Sequence, residues 1–135
     1  MNKLALAGAL AIASVLAMPA ANARTEQTGE EKLAKLLKGR EAGEPVNCIS
    51  LSQSRNSTVI DKTAIVYRVG GTLYVNRPKN AEQLDDDDIL VTRTSGSQLC
   101  RLDAVQLHDR YAGNMWNGFV GLEEFVPYRK VAKAN

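Results

Sequence analysis

The spacing of apolar positions changes twice along this chain. Residues 4–18 show no alternation: Ala, Leu, Ile, Val and Met run on without a charge, interrupted only by Gly8 and Ser14. Residues 25–40 have helical spacing, with Leu33, Leu36 and Leu37 on one stripe and Glu30, Lys32, Lys35 and Lys38 on the polar face. Thr28 followed by Glu31 makes a capping-box pattern, Glu31 and Lys35 are spaced for an i,i+4 pair, and Gly39 can end the helix. A helix this short is marginal alone, so its leucine stripe is expected to dock on the rest of the molecule.

After a linker at residues 41–45, the period becomes that of strands. The clearest unit is Ile65-Val66-Tyr67-Arg68-Val69, then Gly70-Gly71, then Thr72-Leu73-Tyr74-Val75-Asn76. Glycines tolerate the positive φ of a tight hairpin turn, and this register sets Tyr67 against Tyr74 and Val66 against Val75. Further strands are expected at residues 48–51, 58–61, 89–94, 98–102, 104–108 and 124–128. Turn chemistry separates most of them, at residues 54–57 and 95–97, and residues 109–118 read as a long loop. The predicted fold is therefore mainly β: a small antiparallel barrel or strongly curved sheet of about seven strands, with a short N-terminal helix.

The uncharged N-terminal run follows Lys3, is ended by Pro19, and leads to Ala21-Asn22-Ala23, small residues at the positions a signal peptidase must accept. Residues 1–23 are expected to be a signal peptide cut after Ala23, rather than a membrane anchor, for which the run is short and rich in Ala. Arg24 follows the cut where a lipoprotein would need Cys. The expected layout is a helix and linker over 24–45, one β domain over 46–130 and a disordered tail over 131–135. The expected compartment is the periplasm of a Gram-negative bacterium, with no stable membrane insertion after cleavage.

Removing 23 residues from 135 leaves 112, enough for one domain. Removing Lys3 from the 17 basic residues leaves 16 against 15 acidic, and they are scattered, which gives no reason to propose nucleic acid or anionic lipid as a partner. Two cysteines, Cys48 and Cys100, are too few for a metal site with one histidine in the chain. In an oxidising compartment they are expected to form a disulfide.

The strings Gly43-Glu44-Pro45-Val46-Asn47-Cys48-Ile49-Ser50-Leu51, Val59-Ile60-Asp61, Tyr74-Val75-Asn76-Arg77, Ser97-Gln98-Leu99-Cys100 with Asp103, and Gly121-Leu122-Glu123-Glu124-Phe125-Val126-Pro127-Tyr128 together carry a resemblance. Residues 43–128 resemble an uncharacterised bacterial family of small exported proteins, a domain of unknown function. The resemblance implies two further cysteines in many members, at places corresponding to Asn80-Ala81 and Phe119. Both are absent here while Cys48 and Cys100 stay, as separate disulfides would allow. It implies no activity and no functional residue.

Candidate chemistry is sparse. Asp85-Asp86-Asp87-Asp88 is a dense carboxylate run, but consecutive side chains splay apart and lack the glycine-bearing loop of a calcium site; a solvated acidic turn after a helical turn at 81–84 is the expected use. His108, beside Asp109, is the sole histidine. Serines at 50, 52, 54, 57, 95 and 97 lack the local context of a nucleophile. No cofactor pattern occurs and no metal site is assigned. Tyr111, Met115, Trp116 and Phe119 cluster in or beside the 109–118 loop, where they either form a recognition surface or fold back to cap an open barrel end. Capping is preferred, because a chain with one Trp and 5% aromatic residues needs its large side chains in the core.

Three readings of function follow. The first is an exported, non-catalytic envelope module that binds a protein or envelope component through that loop. The second is a small periplasmic hydrolase or metal-dependent enzyme built on His108 and nearby carboxylates, and the third an inhibitor of an envelope-attacking enzyme.

Overall fold

The computed structural model describes residues 27–132; the expected leader at residues 1–23 and residues 133–135 lie outside them. Helix α1 (Gly29–Leu36) starts where the sequence marks it. Thr28 accepts the Glu31 N–H and Glu31 returns a carboxylate to the Thr28 N–H, a complete capping box. Glu31 is thus occupied at the cap, and among the described residues no ion pair joins it to Lys35; the helix's ion pair runs instead from Glu30 to Arg77. The helix is shorter than the pattern suggests because Gly39, at φ +77°, turns the chain into a strand.

Ten strands follow: β1 (Arg40–Ala42), β2 (Cys48–Ser50), β3 (Ser54–Ile60), β4 (Ala64–Val69), β5 (Thr72–Asn76), β6 (Asp88–Thr92), β7 (Gln98–Cys100), β8 (Ala104–Asp109), β9 (Trp116–Gly121) and β10 (Phe125–Lys130). They form three antiparallel sheets, ordered β1-β10-β5-β4-β3, β2-β7 and β6-β8-β9. The β4–β5 hairpin has the register read from the sequence, with Tyr67 opposite Tyr74 and Val66 opposite Val75, and Gly70 takes φ +59° in its turn.

The five-stranded sheet is the middle layer. Ala64 and Val66 on β4 and Leu73 and Val75 on β5 point to one face, where Leu33 of α1 completes a buried cluster. The leucine stripe therefore docks, as expected. Ile65, Tyr67 and Phe125 point to the other face and share a core with Ile49 and Leu99 of the two-stranded ribbon and Val105, Leu107 and Val120 of the three-stranded sheet. Period-2 alternation along β4 and β5 serves two apolar faces, which is why these strands read as almost continuously hydrophobic.

Two expectations about architecture need correcting. Ten strands occur rather than about seven, and none of the three sheets closes into a barrel. Closure would require every strand to bond two neighbours. The three-residue strands β2 and β7 bond only each other, and β3 and β6 are both terminal strands in their sheets. The supposed linker at 41–45 begins inside β1, which pairs Ala42 with Tyr128 of β10. The supposed loop at 109–118 ends inside β9.

Candidate functional site: the outward face of the three-stranded sheet

Alternation on β8 buries Val105 and Leu107, so Ala104, Gln106 and His108 face outward. The register places Ile89, His108 and Trp116 in one row across the sheet and Val91, Gln106 and Phe119 in the next. Trp116 is 61% exposed, Phe119 53%, Met115 64% and Tyr111 78%. These side chains cap no barrel end: the core is filled by aliphatic residues with Tyr67 and Phe125, and the aromatics of this segment stand in solvent. Beside Trp116 and Phe119 lies a cavity of about 430 Å³, bounded also by Val91, Ala104, Gln106 and Arg93.

The segment that carries them is held by its own hydrogen bonds. Asp109 Oδ1 accepts the N–H groups of Tyr111 (2.7 Å) and Ala112 (2.9 Å), and the Asp109 N–H donates to the Met115 carbonyl (2.9 Å). Gly113 and Asn114 take φ +67° and +60°, closing the turn. The register shifts between Gln106 and His108, and Gly118 at φ +112° accommodates that bulge. Phe119 and Trp116 consequently point outward together although they are three positions apart, with two residues between them.

His108 lies in this face. Its Nδ1 is 2.8 Å from the Asn114 carbonyl and its Nε2 is 3.4 Å from Gln106 Oε1. The Asp109 carboxylate is turned into the loop and does not bond the imidazole. Ser50 and Ser52 bond each other at 2.9 Å on and beside the separate two-stranded ribbon.

The acidic run divides. The carboxylates of Asp85, Asp86 and Asp87 are exposed and close together, after a 3-10 turn at Ala81–Gln83. Asp88 is buried and accepts the Asp85 N–H at 2.8 Å and the Asn117 amide at 3.4 Å. Desolvation, and then the carboxylates of Asp61, Asp88 and Asp86, raise the Asp85 pKa above the usual carboxylate value, against an opposing backbone hydrogen bond from Asp87. Burial and neighbouring negative charge thus both disfavour ionisation at this corner.

Cys48 and Cys100 are joined, directly opposite one another on β2 and β7, with Cα atoms 4.0 Å apart. The other residues of the family-like pattern do structural work that sequence reading missed. Asp103 accepts the Cys100 N–H at 2.7 Å in a turn where Leu102 takes φ +76°. Asn76, fully buried, donates to the Glu123 carbonyl (2.7 Å) and accepts the Glu123 N–H (3.0 Å), anchoring the approach to β10. Asn80 donates to the Phe119 carbonyl (2.7 Å) and accepts the Gly121 N–H (3.1 Å). One amide thus ties the segment before the 3-10 turn to the outer edge of β9.

No family model matches the chain, and neither a curated protein nor a solved structure does. Among the described residues, no helix is long and apolar enough to cross a membrane.

Proposed function

We propose that this protein is an exported, non-catalytic module of the bacterial envelope that binds a protein through the outward face of the β6-β8-β9 sheet. The observation that carries the reading is the pair Trp116 and Phe119, each more than half exposed on the wall of one concavity, with the exposed Tyr111 and Met115 on the adjoining turn. A folded monomer gains nothing by leaving large apolar side chains in water within one short segment, whereas Trp, Tyr and Arg in such a setting dominate binding energy at interfaces. Arg93 stands at the rim of the same cavity. The hydrogen-bonded turn presents the group already ordered, which lowers the entropy cost of association.

Export supports the same reading. A cross-strand disulfide is suited to an oxidising compartment, and the N-terminal run has the length and cleavage pattern of a periplasmic leader. The family resemblance belongs to the proposal too, because Cys48, Cys100, Asp103 and Asn76 of the resembling strings hold the frame behind the face. The test is capture from periplasmic extract by the protein and by its Trp116→Ala variant, with partners identified by mass spectrometry. A partner retained by the parent and lost by the variant is expected; identical capture by both removes this face from consideration.

A further inference from the structure

Strand edges left without a neighbour are sites for strand pairing, so folds cover or charge them. Here the outer edge of β9 is covered: the Asn80 side chain takes the Phe119 carbonyl and Gly121 N–H, and the Lys79 N–H donates to the Gly121 carbonyl. The edges of β3 and β6 are treated differently. Each is terminal in its sheet, and among the described residues no strand pairs with either free side.

These two bare edges flank a single groove. A cavity of about 180 Å³ lies between Ser54 and Ser57 of β3 and Leu90 and Thr92 of β6. A second, of about 380 Å³, lies between Thr58 and Val59 of β3 and Asp88 and Ile89 of β6. Ser57 and Leu90 border both cavities, which makes the groove continuous. Leu51, Val59 and Leu90 pack against the main core and give the groove an apolar component. Tyr67 borders the narrower cavity, and its hydroxyl is buried with no hydrogen-bond partner among the described residues. A buried, unpaired hydroxyl is unfavourable, and a ligand group reaching it would remove that cost.

Charge gives the groove a direction. Arg55 stands at the narrow end. Asp86 and Asp88 border the wide end with a single cation, Arg110, and the exposed Asp85 and Asp87 adjoin them.

We propose that an extended peptide segment of another protein binds here by strand addition, lying in the gap between β3 and β6 with alternate apolar side chains inward and a Lys or Arg at the Asp86 end. Five residues of β6 offer an edge of roughly 17 Å at about 3.3 Å per residue, so the segment recognised is five or six residues long. Main-chain hydrogen bonds would supply affinity. The floor and the two charged ends would supply sequence preference and direction. This site is separate from the aromatic face and does not depend on it.

The test is selection of a displayed random hexapeptide library on the full chain purified in its disulfide-bonded form. The Asp86→Lys and Trp116→Ala variants serve as comparisons. Enriched peptides should alternate apolar residues and carry Lys or Arg at one end. Their synthetic forms should slow amide exchange in β3 and β6. N-methylation of alternate peptide amides should weaken binding at least tenfold, Asp86→Lys at least fivefold, and Trp116→Ala not at all. Failure to enrich any peptide over background overturns the proposal, as do binders that tolerate N-methylation at every position. Binders that move the Trp116 and Phe119 resonances while leaving β3 and β6 unchanged overturn it as well.

Discussion

Replacing Cys48 and Cys100 together by Ser removes the one covalent crosslink and leaves the β2–β7 ribbon with only three residue pairs. The linked residues are 52 apart in sequence, and the closed loop contains β3, β4, β5 and β6. In the chain-entropy treatment, opening a loop of that length costs about 4 kcal/mol through the unfolded state. That is a large share of the roughly 5–15 kcal/mol available to a domain of this size. At about 4–8 °C per kcal/mol, the melting temperature should fall by roughly 15–30 °C. The loss should also be unevenly distributed. Ile49 and Leu99, buried by the ribbon, seal one side of the main core, so amide exchange in β2 and β7 should rise before the rest of the molecule opens. Calorimetry of the parent and the double variant, with exchange measured by mass spectrometry, provides both readouts. A fall of less than about 4 °C, equivalent to about 1 kcal/mol or less, would refute the claim that the bond is a principal support of the fold.

Asn76→Ala should destabilise by roughly 1–3 kcal/mol in chemical denaturation, because the part-buried Glu123 N–H and carbonyl would both lose the fully buried side chain that pairs them. Gly29→Ala should cost about 1–3 kcal/mol and loosen α1, since a Cβ there would collide with Thr63 and approach the Asp61 carbonyl to 2.7 Å; a melting temperature equal to the parent's would contradict this. The Arg77 hydrogen bond is the main cause that holds the Glu30 pKa below its ordinary value; burial opposes it, and the Arg77 charge adds a smaller lowering. The pair's contribution is therefore present above the unfolded value and lost as pH falls through the lower folded one, and Glu30→Gln should abolish that slope. Both side chains are more than half exposed, so the difference at neutral pH should stay below about 1 kcal/mol. Protein recovered from the periplasm of expressing cells should have an intact mass beginning at Arg24, and retention of Met1 would contradict export.

Local signals were legible in the sequence, whereas partners distant along the chain were not. The capping box and the Gly70-Gly71 hairpin are specified within a dozen residues, and both form as read. Strand β1 escaped notice because Arg40-Glu41-Ala42 is short and charged and exists only by pairing with β10, nearly ninety residues on. Strand β9 was hidden by Asn117 and Gly118, which look like loop residues and in fact serve a bulge. A barrel was inferred from strand count, yet closure depends on edges, and the absence of pairing between β3 and β6 leaves no mark in periodicity. The side chains of Tyr111, Met115, Trp116 and Phe119 were expected to fold inward but stand exposed, because composition says how scarce large side chains are and not which face of a strand carries them. Asn76 and Asp103 entered only as members of the resembling strings, and the backbone partners of Asn76 and Asn80 were hidden because they lie about forty residues or more away along the chain.

The recognition face is tested most directly by photo-crosslinking inside the cell. A benzophenone side chain substituted at Phe119 should give one discrete protein adduct after irradiation, weakened when Trp116→Ala is added, while the same group at the exposed Lys32 of α1, across the five-stranded sheet, gives none. Adducts of equal yield at both positions, or none at Phe119, would contradict the account.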